Sequence, residues 1–130
     1  MPAPRSPRLP TGRKAHHTEG DTVRAILQFL HARRVLAWRI NTGAVKIDRR
    51  FLRFGAVGMS DIIGVLTVVA AGPGGIMISP DIGQFFAIEV KSAKGKLTPR
   101  QQSFLDQVNA AGGKALMARS VDDVKQALGL

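Results

Sequence analysis

Glu89 and Lys91 stand two residues apart in the apolar run Phe85-Phe86-Ala87-Ile88-Glu89-Val90-Lys91-Ser92. Such a run reads as a strand, on which side chains alternate between two faces. Glu89 and Lys91 then share one face, and Phe86, Ile88 and Val90 share the other. Ionisable groups on a largely apolar strand cost free energy unless something compensates them. A divalent cation together with a phosphate would do so, whereas a solvated outer face would carry the same two residues without further meaning. A second acid bears on the choice. Ser60-Asp61 precedes another strand-like run, Ile62 to Val69, with the Gly/Pro-rich stretch 70–84 between the two. The pattern predicts an antiparallel hairpin, which returns Glu89 and Lys91 to the side of Asp61. Two carboxylates and a lysine at one hairpin end suit a hard cation such as Mg²⁺, which takes carboxylate and carbonyl oxygens along with water and substrate phosphate.

The elements that must hold these groups follow from periodicity. A first helix is expected from about Thr18 to Arg33, with Thr18 as N-cap and Val23, Ile26, Leu27 and Leu30 as its apolar stripe. Glu19 falls on that stripe near the helix start, where favourable interaction with the helix dipole would be explanation enough. A strand is expected over Val35–Ile40 and another over Arg50–Phe54, forming a hairpin made basic by Arg39, Arg49, Arg50 and Arg53. Arginine can grip phosphate oxygens bidentately, though each of these would serve equally as a solvated face residue. Thr98-Pro99-Arg100-Gln101 opens a second helix as a capping box with proline at the first position. Gln101 also lies on the helix face carrying Phe104, Leu105 and Val108, so it is aimed at the sheet beside Glu89 and Lys91. Both a capping and a site role are open to it. Gly112-Gly113 ends that helix, Ala115–Ala118 makes a further strand, and Val121–Leu128 a last helix capped by Ser120. The order is α-β-β-β-β-α-β-α, which calls for an α/β fold with a sheet flanked by helices.

Three stretches together carry a resemblance: Gly58-Met59-Ser60-Asp61-Ile62-Ile63-Gly64, Ile88-Glu89-Val90-Lys91-Ser92, and Gly95-Lys96-Leu97-Thr98-Pro99-Arg100-Gln101. In this order they resemble the VRR-NUC domain of the PD-(D/E)XK nuclease superfamily. The likeness extends upstream through Trp38-Arg39-Ile40-Asn41-Thr42-Gly43 and downstream to Asp123, roughly residues 18–128. Ser60 stands where the superfamily has proline, as is usual in this branch. The resemblance implies a restriction-endonuclease-like core with a mixed β-sheet. It implies Asp61, Glu89, Lys91 and Gln101 as catalytic residues. Asp61, Glu89, the carbonyl of Val90 and Glu19 would hold Mg²⁺ or Mn²⁺. Arg39, Asn41, Arg49, Arg50, Arg53, Lys94, Lys96 and Arg100 would meet DNA. Stand-alone domains of this kind resemble Holliday-junction resolvases, so a four-way junction as substrate and a homodimer as the active form are implied. A flap or single-strand nuclease, or a basic DNA-binding module without catalysis, stand as alternatives.

Composition bounds the rest. The 130 residues make one domain, with Lys and Arg numbering 19 against 9 acids for a net charge of +10. A field of that sign favours polyanions, nucleic acid first among them. No predicted helix sets its cations opposite a broad aromatic face, and the longest apolar run is too short to span a bilayer, so no membrane role is expected. There is no cysteine, which excludes disulfides and thiolate zinc sites and is compatible with the cytoplasm of a bacterium or a virus-infected host. Absence of tyrosine argues against nucleases built on a tyrosine motif. His16, His17 and His31 have no partner in a histidine-metal pattern and read as surface residues. Residues 1–14 hold four of the seven prolines and four basic residues without an acid. Residues 1–17 are therefore expected to be a disordered basic tail, either lying along DNA or merely solubilising, ahead of a nuclease-like domain over 18–130.

Overall fold

A computed structural model describes residues 17–40, 43–54, 58–75 and 77–130. Helix α1 (Glu19–Ala32) leads into strand β1 (Leu36–Arg39), the hairpin β2 (Gly43–Ile47) and β3 (Arg50–Phe54), and the long strands β4 (Ile62–Ala71) and β5 (Met77–Val90). Helix α2 (Pro99–Ala110), strand β6 (Lys114–Ala118) and helix α3 (Val121–Leu128) complete the chain. Strands β1, β4, β5 and β6 form one sheet in that order, antiparallel except for the parallel β5–β6 pair. That parallel pair needs a crossover connection, which α2 supplies. The result is the expected mixed sheet flanked by helices, with the helices and strands in the expected order and one strand added.

The two faces of the sheet are covered differently. Val23, Ile26 and Leu30 of α1 and Val124 and Leu128 of α3 pack with Ile62, Leu66, Phe86, Ile88, Val90 and Ala118 into a single buried cluster. Their spacing along α1 is that of one helix face, and along β5 that of one strand face. The opposite face of β5 and β6 carries α2, with Leu105 buried against it. Central strand β5 is thus buried on both sides over Phe86–Val90, which is why an acid within it is costly. Gly64 of β4 has no alternative residue: a Cβ there would lie 2.3 Å from both the Leu36 carbonyl oxygen and the Phe86 ring.

Two expectations about the strands need correction. Strand β3 does not pair with β1; it pairs with Gly43–Ile47 to make a separate two-stranded sheet, while β1 joins β4. The connecting turn at Asp48-Arg49, where Asp48 takes a positive φ of 56°, is the hairpin signal. The stretch 70–84 is mostly strand, because β4 runs to Ala71 and β5 starts at Met77; only a tight 3₁₀ turn at Pro73–Gly75 and its flanks join them. Residues 1–16 lie outside the described residues, and the expectation of a basic tail with them. Among the described residues, no helix is long and apolar enough to cross a membrane.

Candidate active site

Register decides what meets at the mouth of the β4–β5 hairpin. Ile62 pairs with Ile88 in the antiparallel ladder, so Asp61, one residue before, comes abreast of Glu89. Asp61 does not extend the ladder as a backbone partner. Its carboxylate oxygen Oδ2 instead accepts the Val90 N–H at 2.8 Å. A strand residue turns its N–H and C=O towards the same neighbour, so the Val90 carbonyl lies on the Asp61 side as well. The Asp61 carbonyl accepts the Ile40 N–H at 2.7 Å, tying the end of β1 to the same spot.

Glu89 is 4% exposed, one of two polar or charged side chains in the described core. It lies on the α2 face, and α2 reaches it: Gln101 Nε2 donates to Glu89 Oε1 at 2.8 Å. The same amide accepts the Thr98 N–H through Oε1 at 2.9 Å, closing the capping box that starts α2. Gln101 therefore caps its helix and grips the buried acid at once, and its amide is oriented by both contacts. Lys91 Nζ stands 3.5 Å from the same Glu89 oxygen. Burial pushes the Glu89 carboxyl up to about 7, the adjacent Asp61 charge pushes the same way, and Lys91 opposes both. The pair is under-compensated.

Backbone geometry brings α2 to the acids. Gly58 has φ +81°, and a Cβ on it would come within 2.8 Å of the Arg100 carbonyl oxygen. The turn preceding Asp61 is thus packed backbone to backbone on the first turn of α2, a contact only glycine allows. Ser60, between them, is 1% exposed, and its hydroxyl has no hydrogen-bond partner.

Glu19 departs from its expected place. It is the first residue of α1 and exposed, not part of the buried stripe that Val23, Ile26 and Leu30 form. Its Oε1 accepts the Ser92 N–H at 3.1 Å, just past Lys91. On the other side of Ser92, the Arg119 guanidinium donates to its carbonyl. The chain leaving β5 is held between a carboxylate and a guanidinium. Sequence reasoning missed Arg119; the signal was its place one residue beyond Ala118, which the parallel pairing sets abreast of Val90.

The remaining candidates are dispersed. Lys94, Lys96 and Arg100 are exposed on the segment from β5 into α2, and Arg39 is exposed at the end of β1. Arg49 and Arg50 are exposed in the β2–β3 hairpin, and Arg53 lies in β3 opposite Ala44. Asn41 lies outside the described residues. Of the histidines, His31 Nε2 pairs with the Ala37 carbonyl at 3.0 Å and His17 is exposed.

The donor set can be tested against a hard cation. Two carboxylates side by side, one with its carboxyl pushed up first by burial and then by the charge of the other, and a carbonyl on the same side are the oxygen ligands such an ion takes. They fit. Among the described residues no group of three or more His, Cys, Asp or Glu is set to hold a metal, so Glu19 stands apart from the pair.

The VRR-NUC domain model matches residues 17–122. No curated protein and no solved structure matches the chain.

Proposed function

The chain belongs to the VRR-NUC domain family and carries a nuclease-type function, and from that premise we propose that it is a metal-dependent endonuclease that hydrolyses DNA phosphodiester bonds at branched structures. The observation that carries this is the Asp61–Glu89 pair at the mouth of the hairpin, with Lys91 on the same oxygen that Gln101 orients. Asp61, Glu89 and the Val90 carbonyl would hold Mg²⁺ or Mn²⁺, with Glu19 acting on the Ser92 backbone beside them. Such an ion lowers the pKa of a bound water and offsets charge on the phosphate.

The protein's own groups supply position and charge. Val90 fixes the Asp61 carboxylate by its N–H, and Gln101 fixes Glu89 in one rotamer. Lys91, largely buried and beside Glu89, directs an ammonium at the place where negative charge grows on the phosphate or at the attacking water. Lys94, Lys96 and Arg100 follow it in the chain, and with Arg39, Arg49, Arg50 and Arg53 they would meet the DNA backbone. A four-way junction presents two equivalent strands, so a homodimer would give each strand a site.

A panel of labelled four-way junction, flap, duplex and single-stranded DNA, incubated with Mg²⁺, Mn²⁺ or EDTA, tests the reading. Junction cleavage that needs the ion and disappears in Asp61→Asn and Lys91→Ala is the expected result. Retarded but uncut DNA under every metal would make the chain a binding module.

A further inference from the structure

We propose that Trp38 is a stacking platform for an unpaired base of the DNA substrate. The proposal rests on the DNA-acting reading above and specifies which feature of a branched substrate the protein recognises.

Helix α2 covers only the β5–β6 half of its sheet face. On the β1–β4 half of that face, Leu36 pairs with Val65 and Val65 with Phe85, and these three are 55%, 36% and 39% exposed. Trp38 pairs with Ile63, and Ile63 with Ala87. Glu89 is two residues beyond Ala87, so Trp38 and the buried acid share one face. Two strand spacings across and two residues along put their Cα atoms about 12 Å apart, a few nucleotides of stacked DNA.

Trp38 is the chain's only tryptophan and is 49% exposed. Tryptophan is highly buried on average, so an indole left half open beside other open apolar side chains calls for an occupant. Charge selects it. Exposed Arg33 and Arg34 precede β1, exposed Arg39 ends it, and the whole chain carries +10. A second copy docked here by a two-fold axis would set these arginines near their own equivalents. Nucleic acid brings the opposite charge, and an unpaired base brings a flat apolar face that indole stacks on. Duplex DNA keeps its base faces covered by their neighbours. Trp38 would then act only where bases are open, at a fork, flap or junction centre, which is how structure selectivity arises without base readout.

The native fluorescence of Trp38 reports on this directly. The unmodified 130-residue chain is titrated in EDTA, where no cleavage is expected, with a single-stranded oligonucleotide, a forked duplex and a fully paired blunt duplex of the same length. Binding is followed independently by anisotropy of a dye on the DNA. Quenching by the first two and little by the blunt duplex is the expected result. Trp38→Ala should weaken forked-DNA binding on the order of tenfold while leaving duplex binding unchanged, and Trp38→Phe should keep most of it. DNA that binds without quenching, or equal affinity in Trp38→Ala, overturns the proposal. So does an emission shift that follows protein concentration without DNA, which would make this face a contact between copies. Stacking without cleavage in any metal would sink the nuclease reading alone, and cleavage without stacking would sink this one alone.

Discussion

Replacing Glu89 by Gln should stabilise the metal-free protein, and only above a defined pH. Gln has nearly the volume of Glu and keeps a carbonyl oxygen to accept the Gln101 amide, so packing and the helix cap are retained. What is removed is the charge. The Glu89 carboxyl is raised from 4.5 to about 7 in the folded chain, chiefly by burial and then by Asp61. The sign follows from linkage. Below 4.5 the group is protonated in both states and contributes nothing. Between 4.5 and about 7 the unfolded chain ionises while the folded one holds its proton, so stability falls as pH rises. Above about 7 the full penalty is present, and a shift of this size corresponds to about 3 kcal/mol. Urea unfolding in EDTA should therefore show Glu89→Gln ahead of the parent by about 2–3 kcal/mol at pH 8.5 and by less than about 1 kcal/mol at pH 5. Mg²⁺ should raise the stability of the parent at pH 8.5 and do little for the variant, since only a chain that binds the ion gains from it. A gain that does not change with pH, or a variant less stable than the parent at pH 8.5, would refute the account of the pair.

Three further outcomes follow from contacts around the pair. Gln101→Ala should cost about 1 kcal/mol through the cap, seen as a lower urea midpoint, and should reduce kcat at saturating metal by more than that loss accounts for, because Glu89 loses its orienting donor. Gly58→Ala meets both a positive φ and the Arg100 carbonyl at 2.8 Å, so a loss of roughly 1–3 kcal/mol in unfolding free energy is expected, with slower cleavage because the Asp61 turn and α2 are pushed apart. Ser60→Ala removes a buried hydroxyl that has no partner; stability should hold or rise by up to about 1 kcal/mol, and metal-dependent cleavage should persist.

The sequence carried the site further than it carried the sheet. Asp61 and Glu89 were legible because two apolar runs with a turn-rich stretch between them leave few registers, and the face rule then fixes who meets whom. Gln101 was legible as a cap from four residues and as a site neighbour from helical spacing, and the two roles coexist in one amide. Strand β2 was not, since Gly43–Ile47 is short and its polar turn looked like part of a loop. The extent of β4 and β5 was hidden by the glycine and proline between them, residues that are taken as turn signals although most of that stretch is strand. Arg119 and the place of Glu19 depend on tertiary contact across the sheet end, which no local pattern encodes.

Where the acids sit follows from the same physics that makes them costly. Within Phe86–Val90 the central strand is buried on both faces, so a charged group in its middle would have no route to water or to a ligand. At its end the ladder stops: Asp61 leaves the backbone register, its carboxylate takes the Val90 N–H that the ladder no longer uses, and the chain beyond is held by Glu19 and Arg119 instead of by a neighbouring strand. The strand end is thus the one position where Glu89 can be dry enough to have a raised pKa and still lie next to an approachable surface. A single cation would relieve both acids there, and a phosphate drawn to Lys91 would meet the same groups. On the proposed reading, the stability that the buried acid costs would be recovered on binding a cation, which would tie the occupant of this site to the folding of the sheet around it.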